Sequence, residues 1–244
     1  MKKSIKISFI VLLSLLVLYF ATDVVFRIVV RNSLSKHIIE DSEIQQSYTE
    51  GKYSTDIKSF DYLKNDNLQV SYWNLPGFAY TGATIYSGYA LIDNSDLSKI
   101  QSAVAKALEW ERTAKSEKVS VYKQIEIGDI YTEFIASTAK NGRYENEVTD
   151  EKSKNYNGIM KVYFCALDSG KQCSIQFKAY AKNKKQVIQS IEFNNIEELS
   201  NFLNDENIKK LESINKKEQE SKEIQKQKYQ EQLENDKAAE VLFN

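Results

Sequence analysis

The chain of 244 residues contains one histidine, His37, and two cysteines, Cys165 and Cys173. These three side chains bound the chemistry. Zinc sites built from three histidines, four cysteines or two of each cannot be assembled within one such chain. No metal site and no cofactor are expected. Histidine-based catalysis would have to run through His37, which lies between Lys36 and Ile38, just after an apolar N-terminal run. The sequence carries no G-x-S-x-G, no Walker A and no G-x-G-x-x-G motif. With eight glycines overall, a glycine-rich phosphate cradle is not expected. The 34 acidic residues always permit some carboxylate pair, so a metal-independent hydrolase using carboxylates stays open as the alternative, with no residue singled out.

The two cysteines flank Ala166-Leu167-Asp168-Ser169-Gly170-Lys171-Gln172. That spacing is too wide for a paired zinc ligand and lacks the Cys-x-x-Cys of a redox motif. The flanking residues read as a hairpin. A three-residue loop at 168–170, with Gly170 in the left-handed position, places Cys165 opposite Cys173 and predicts a disulfide. A two-residue turn at Ser169-Gly170 places the cysteines on opposite faces and leaves two free thiols. The disulfide reading has its own difficulty, because it sets Met160, Val162 and Phe164 opposite in face to Ile175 and Phe177. A disulfide would imply an oxidising compartment.

The second compositional cluster is Tyr72-Trp73-Asn74-Leu75-Pro76-Gly77-Phe78-Ala79-Tyr80. Tyrosine and tryptophan supply large contact area at low entropic cost, so Tyr72, Trp73, Phe78 and Tyr80 are candidate partner-binding residues. The same composition fits strands and a turn that feed a core.

The elements that must position these residues begin at the amino terminus. Residues 1–6 are a short basic leader with Lys2, Lys3 and Lys6. Residues 7–30 are predominantly apolar, interrupted by Asp23 and Arg27. A helix over 24 such residues would be roughly 36 Å long, enough to cross a bilayer. A cleaved signal peptide is the rival reading, but its best cleavage position would put Tyr19 where a small residue is needed. The short leader predicts an N-in orientation, with the domain facing the periplasm or exterior of a bacterial inner membrane.

Residues 31–60 read as a polar stalk. Residues 61–204 mix period 2 with period 3.6, the pattern of an α+β domain. The expected strands are Leu68–Trp73, Ala83–Ile92, 119–127, Ile130–Ser137, Ile159–Leu167, Lys171–Ala181 and Gln186–Phe193, forming a mostly antiparallel sheet. The 119–127 strand is expected to pair with Ile130–Ser137 across Gly128-Asp129. One main helix over about 95–115 carries an apolar stripe of Leu97, Ile100, Val104, Ala107 and Leu108. Asn195 and Glu198 predict a capping box that opens a short helix. Residues 205–244 are a charged helical tail, either solvated or docking a partner.

With 33 basic against 34 acidic residues and no basic stripe, nucleic acid is not an expected partner. The sequence points to a non-enzymatic, single-pass, membrane-anchored extracytoplasmic protein that binds another protein. An immunity protein neutralising a toxin, or an accessory subunit of a bacterial envelope or secretion assembly, would be built this way.

Overall fold

The computed structural model describes residues 10–25, 44–51, 56–74, 85–128, 130–140, 143–145, 156–181 and 187–243. It is an α+β protein. Helix α1 covers residues 10–25. Among the described residues ten strands follow: β1 (Ile44–Glu50), β2 (Asp56–Leu63), β3 (Leu68–Asn74), β4 (Ile85–Ile92), β5 (Val121–Ile125), β6 (Tyr131–Lys140), β7 (Arg143–Glu145), β8 (Tyr156–Leu167), β9 (Gln172–Ala181) and β10 (Val187–Phe193). Helix α2 (Leu97–Glu117) lies between β4 and β5, and helices α3 (Ile196–Phe202) and α4 (Asp205–Phe243) close the chain.

Every strand pairing is antiparallel. Two four-stranded blocks, β1-β2-β3-β4 and β6-β8-β9-β10, join at the β4–β6 ladder into one continuous array. The short strands β5 and β7 add to β8 and β6. The array curls, because Phe60 on β2 meets Phe177 on β9 with ring centres 5.5 Å apart. Phe193 on β10 packs against both Phe177 and Tyr48 at 5.8 Å. The core fills this concave side. Phe60 and Tyr62 share it with their cross-strand partners Val70 and Leu68, as period 2 requires. The apolar stripe of α2 closes it with Ile100, Val104 and Ala107 buried.

Local chemistry sets the helix ends. Asp93 Oδ1 accepts the Ser95 amide at 2.8 Å and opens a 3₁₀ turn leading into α2. That hydrogen bond holds the Asp93 carboxyl below its ordinary range. Asn195 caps α3 by accepting the Glu198 amide at 3.2 Å, and Asn204 caps α4 by accepting the Asn207 amide at 2.8 Å. Lys118 ends α2 in the left-handed conformation, with φ of 52°.

Four expectations meet the structure: the membrane span lies partly outside the described residues, and the other three change. First, among the described residues no helix is long and apolar enough to cross a membrane. Helix α1 spans sixteen residues of the 7–30 segment, about 24 Å at 1.5 Å per residue, and the flanks lie outside the described residues. Second, the stalk assignment fails for 44–50 and 56–60. These residues are sheet strands, with Ile57 and Phe60 fully enclosed. Third, β5 pairs with β8, not with β6. Fourth, the β8–β9 register is Leu167↔Gln172, which sets Cys165 against Ser174 and Cys173 against Ala166. The two cysteines therefore lie on opposite faces and are free, buried thiols, not a disulfide.

The turn that fixes this register is left-handed over its first three residues. Asp168, Ser169 and Gly170 have φ of 48°, 55° and 81°. The Gly170 amide donates to Leu167 O at 3.1 Å and the Lys171 amide to Asp168 O at 3.2 Å. Gly170 packs on the end of α2, where an added Cβ would fall 2.2 Å from Ala114 O. No residue with a side chain fits there.

Candidate functional site

Of the expected partner-binding residues, Tyr72 is half-buried, packs against the core and donates its hydroxyl to Asp56 Oδ1 at 3.1 Å. Its surroundings are those of a core residue. Trp73 stands in β3 in register with Ile57 and Ser87. Phe78, Tyr80 and His37 lie outside the described residues. Burial pushes both thiols above their ordinary value; Glu192 adds to this at Cys165 and Glu111 at Cys173. Neither thiol has the electropositive setting of a reactive cysteine.

No group of three or more histidine, cysteine, aspartate or glutamate side chains that could hold a metal ion is present among the described residues. The buried carboxylates described, Asp23, Asp61 and Glu111, belong to α1, β2 and α2. Glu111 is paired with Lys115 at 2.6 Å. Asp61 anchors a polar cluster on the β2–β3 face turned away from the core. Its Oδ2 accepts from Ser59 Oγ at 3.0 Å, Gln69 Nε2 at 3.1 Å and Ser71 Oγ at 3.4 Å. Cross-strand register makes this cluster, since Ser59 faces Ser71 and Asp61 faces Gln69. All four side chains are buried. Three donors converging on one carboxylate oxygen hold two neighbouring strands together.

The accessible chemistry gathers around β5, on residues the sequence reading had passed over. On one face Tyr122 stacks on Tyr163, with ring centres 5.8 Å apart. Lys178 Nζ lies 4.6 Å from the Tyr163 ring centre and donates to the Tyr122 hydroxyl at 2.6 Å. Tyr163 and Tyr180 join hydroxyls at 2.6 Å. Burial first, then the Tyr180 hydrogen bond, push the Tyr163 phenol up. On the other face of β5, Lys123 Nζ stands 4.5 Å from the Trp110 ring centre, and Lys106 Nζ is 5.7 Å away.

A cleft of about 480 Å³ opens between α2 and this strand. Ala103, Trp110, Ile125 and Ile127 give it an apolar floor, and Lys99, Lys106, Gln124 and Glu126 line its rim. The signal was present in sequence. Lys106 and Trp110 are four apart on a helix, and Tyr122 and Lys123 alternate on a strand. The third dimension, which brings α2 alongside β5, was not. No protein-family model matches the chain, and no curated protein or solved structure matches it either.

Proposed function

We propose that this chain is a membrane-held binding protein, attached through its N-terminal helix and presenting the β-sheet domain to a protein partner outside the cytoplasm. The surface of α1 supports this reading. Every large apolar side chain from Ile10 to Phe20 is exposed around the whole helix, Leu12 at 62% and Leu16 at 49%. Leaving such a side chain in water forfeits roughly 1.5–3 kcal/mol relative to burial. A helix apolar on all sides calls for an apolar medium. Together with the flanking apolar residues of the 7–30 segment, α1 suits a bilayer. The cation-and-aromatic surface around β5 supports the binding role.

Membrane fractionation of the full chain tests the attachment. Alkaline carbonate should leave it in the pellet, and deletion of residues 1–30 should release it. Protease added to intact spheroplasts should degrade the domain. A full chain that partitions to the alkaline supernatant defeats the proposal.

A further inference from the structure

We propose that the free edge of β5 is a strand-addition site for an extended, acidic segment of a partner protein; this rests on the binding role above and assigns it a place. β5 hydrogen-bonds to β8 along one edge, and among the described residues no strand pairs with the other. An unpaired edge is a row of backbone donors and acceptors ready for another chain. The cleft against α2 leaves room beside it.

The side chains around that edge choose the chemistry of the incomer. Successive residues of an added strand point to opposite faces of the sheet. One set would meet Trp110 with Lys106 and Lys123, the other Tyr122 with Lys178. Both faces thus offer a cation beside an aromatic ring. Lys99 and Lys106 already contact neighbouring acids, Asp96 at the entrance of α2 at 2.6 Å and Glu109 on α2 at 3.7 Å. Glu126 is held by Lys161 at 2.7 Å. Lys123 and Lys178 have no ion pair among the described residues, and each lies over a ring. An acidic strand would supply the missing counter-charges, while its apolar residues cover Trp110 and Ile125. Main-chain hydrogen bonds would give affinity and these side chains specificity, as in other strand-addition complexes.

Full-length protein in detergent is the material for the test. The probe is a short peptide repeating Glu-Glu-Val-Val, which sets both residue types on each face of an added strand, with a Lys-Lys-Val-Val peptide as its counterpart. Hydrogen exchange should slow at least about tenfold at Val121–Ile125 with the acidic peptide and not with the basic one. The double variant Lys106→Glu, Lys123→Glu should weaken acidic-peptide binding by at least about tenfold, or 1.4 kcal/mol. It should also improve binding of the basic peptide. Unchanged exchange across α2 will show that the variant is folded; the milder Lys123→Ala serves if it is not. No slowing at saturating acidic peptide overturns the proposal, and so does equal slowing by the basic peptide. Neither result touches membrane attachment, which fractionation reads separately.

Discussion

Glu50, the last residue of β1, accepts the backbone amide of Asn195, the cap of α3, at 2.8 Å across a sequence separation of 145 residues. The same carboxylate accepts the Asn194 amide at 2.8 Å and the Tyr48 hydroxyl at 2.6 Å. The capping box expected at α3 would have had Glu198 return a bond to the Asn195 amide. Glu50 takes that position, so the helix end is capped half from within and half from the first strand. Removing the acceptor orphans two amides at the helix entrance. Glu50→Ala should lower stability by about 1.5–3 kcal/mol, and Glu50→Gln by less. The urea midpoint measures both, and an unchanged midpoint for the alanine variant would remove this clamp from the account.

Two of the left-handed glycines, Gly128 and Gly170, allow a matched comparison. Gly128 has φ of 85° and nothing within 4 Å of an added Cβ. Gly128→Ala should therefore cost only the left-handed strain, about 1–2 kcal/mol. Gly170→Ala adds a collision with the Ala114 carbonyl. It should cost more than about 3 kcal/mol and separate the hairpin from α2. Thermal melts of the pair decide the matter. Equal losses would mean that the hairpin does not rest on the helix end.

The Asp61 cluster predicts an asymmetry between single and combined changes. Asp61→Ala leaves Ser59, Gln69 and Ser71 buried without their shared acceptor, and should destabilise by about 2–4 kcal/mol. Replacing all four residues by apolar ones of similar size should lose much less. Denaturant unfolding of the two variants would contradict this if the fourfold change proved the worse.

Alkaline pH should weaken the fold. Burial raises the thiols of Cys165 and Cys173 and the phenols of Tyr48, Tyr62 and Tyr163 above their ordinary values. Above those ordinary values the unfolded chain sheds protons that the folded chain keeps. The folded state then binds more protons, and stability falls as pH rises. The decline should begin near pH 9 with the thiols, whose ordinary value is 9.0. It should steepen near the ordinary tyrosine value of 10.0. Replacing both cysteines with alanine should remove the earlier phase. A flat urea midpoint from pH 7 to about 10.5 would contradict the burial of these groups.

Much of the fold was legible because period carries it. The α2 stripe named Leu97, Ile100, Val104, Ala107 and Leu108; the first four are buried and Leu108 is half-buried against the core. The strands from β3 onward fall within a few residues of their expected limits, with β7 the exception. The hairpin error is instructive. Turn preference favoured a three-residue loop, whereas the apolar alternation of Met160, Val162 and Phe164 against Ile175 and Phe177 demanded an even one. In the structure Phe164 faces Ile175 and Val162 faces Phe177. A one-residue slip would move a whole core face into solvent, so burial outweighed turn chemistry. The partner of β5 and the role of Glu50 were not legible. Both depend on contacts between distant segments, which no local pattern encodes. The β1 and β2 strands were missed because polar residues such as Gln45, Gln46, Ser59 and Asp61 disguise them.

The bonds at the two ends of β1 also define how the molecule would carry force. Gln45 donates to Leu211 O at 3.1 Å, tying the start of the strand to the base of α4. Glu50 ties its end to the entrance of α3. Asn215 fastens α4 to the β2–β3 turn through Leu63 O at 3.2 Å and Asp66 Oδ1 at 2.6 Å. Tension applied between the first strand and the last helix would therefore be shared among these links instead of falling on the β1–β2 ladder alone.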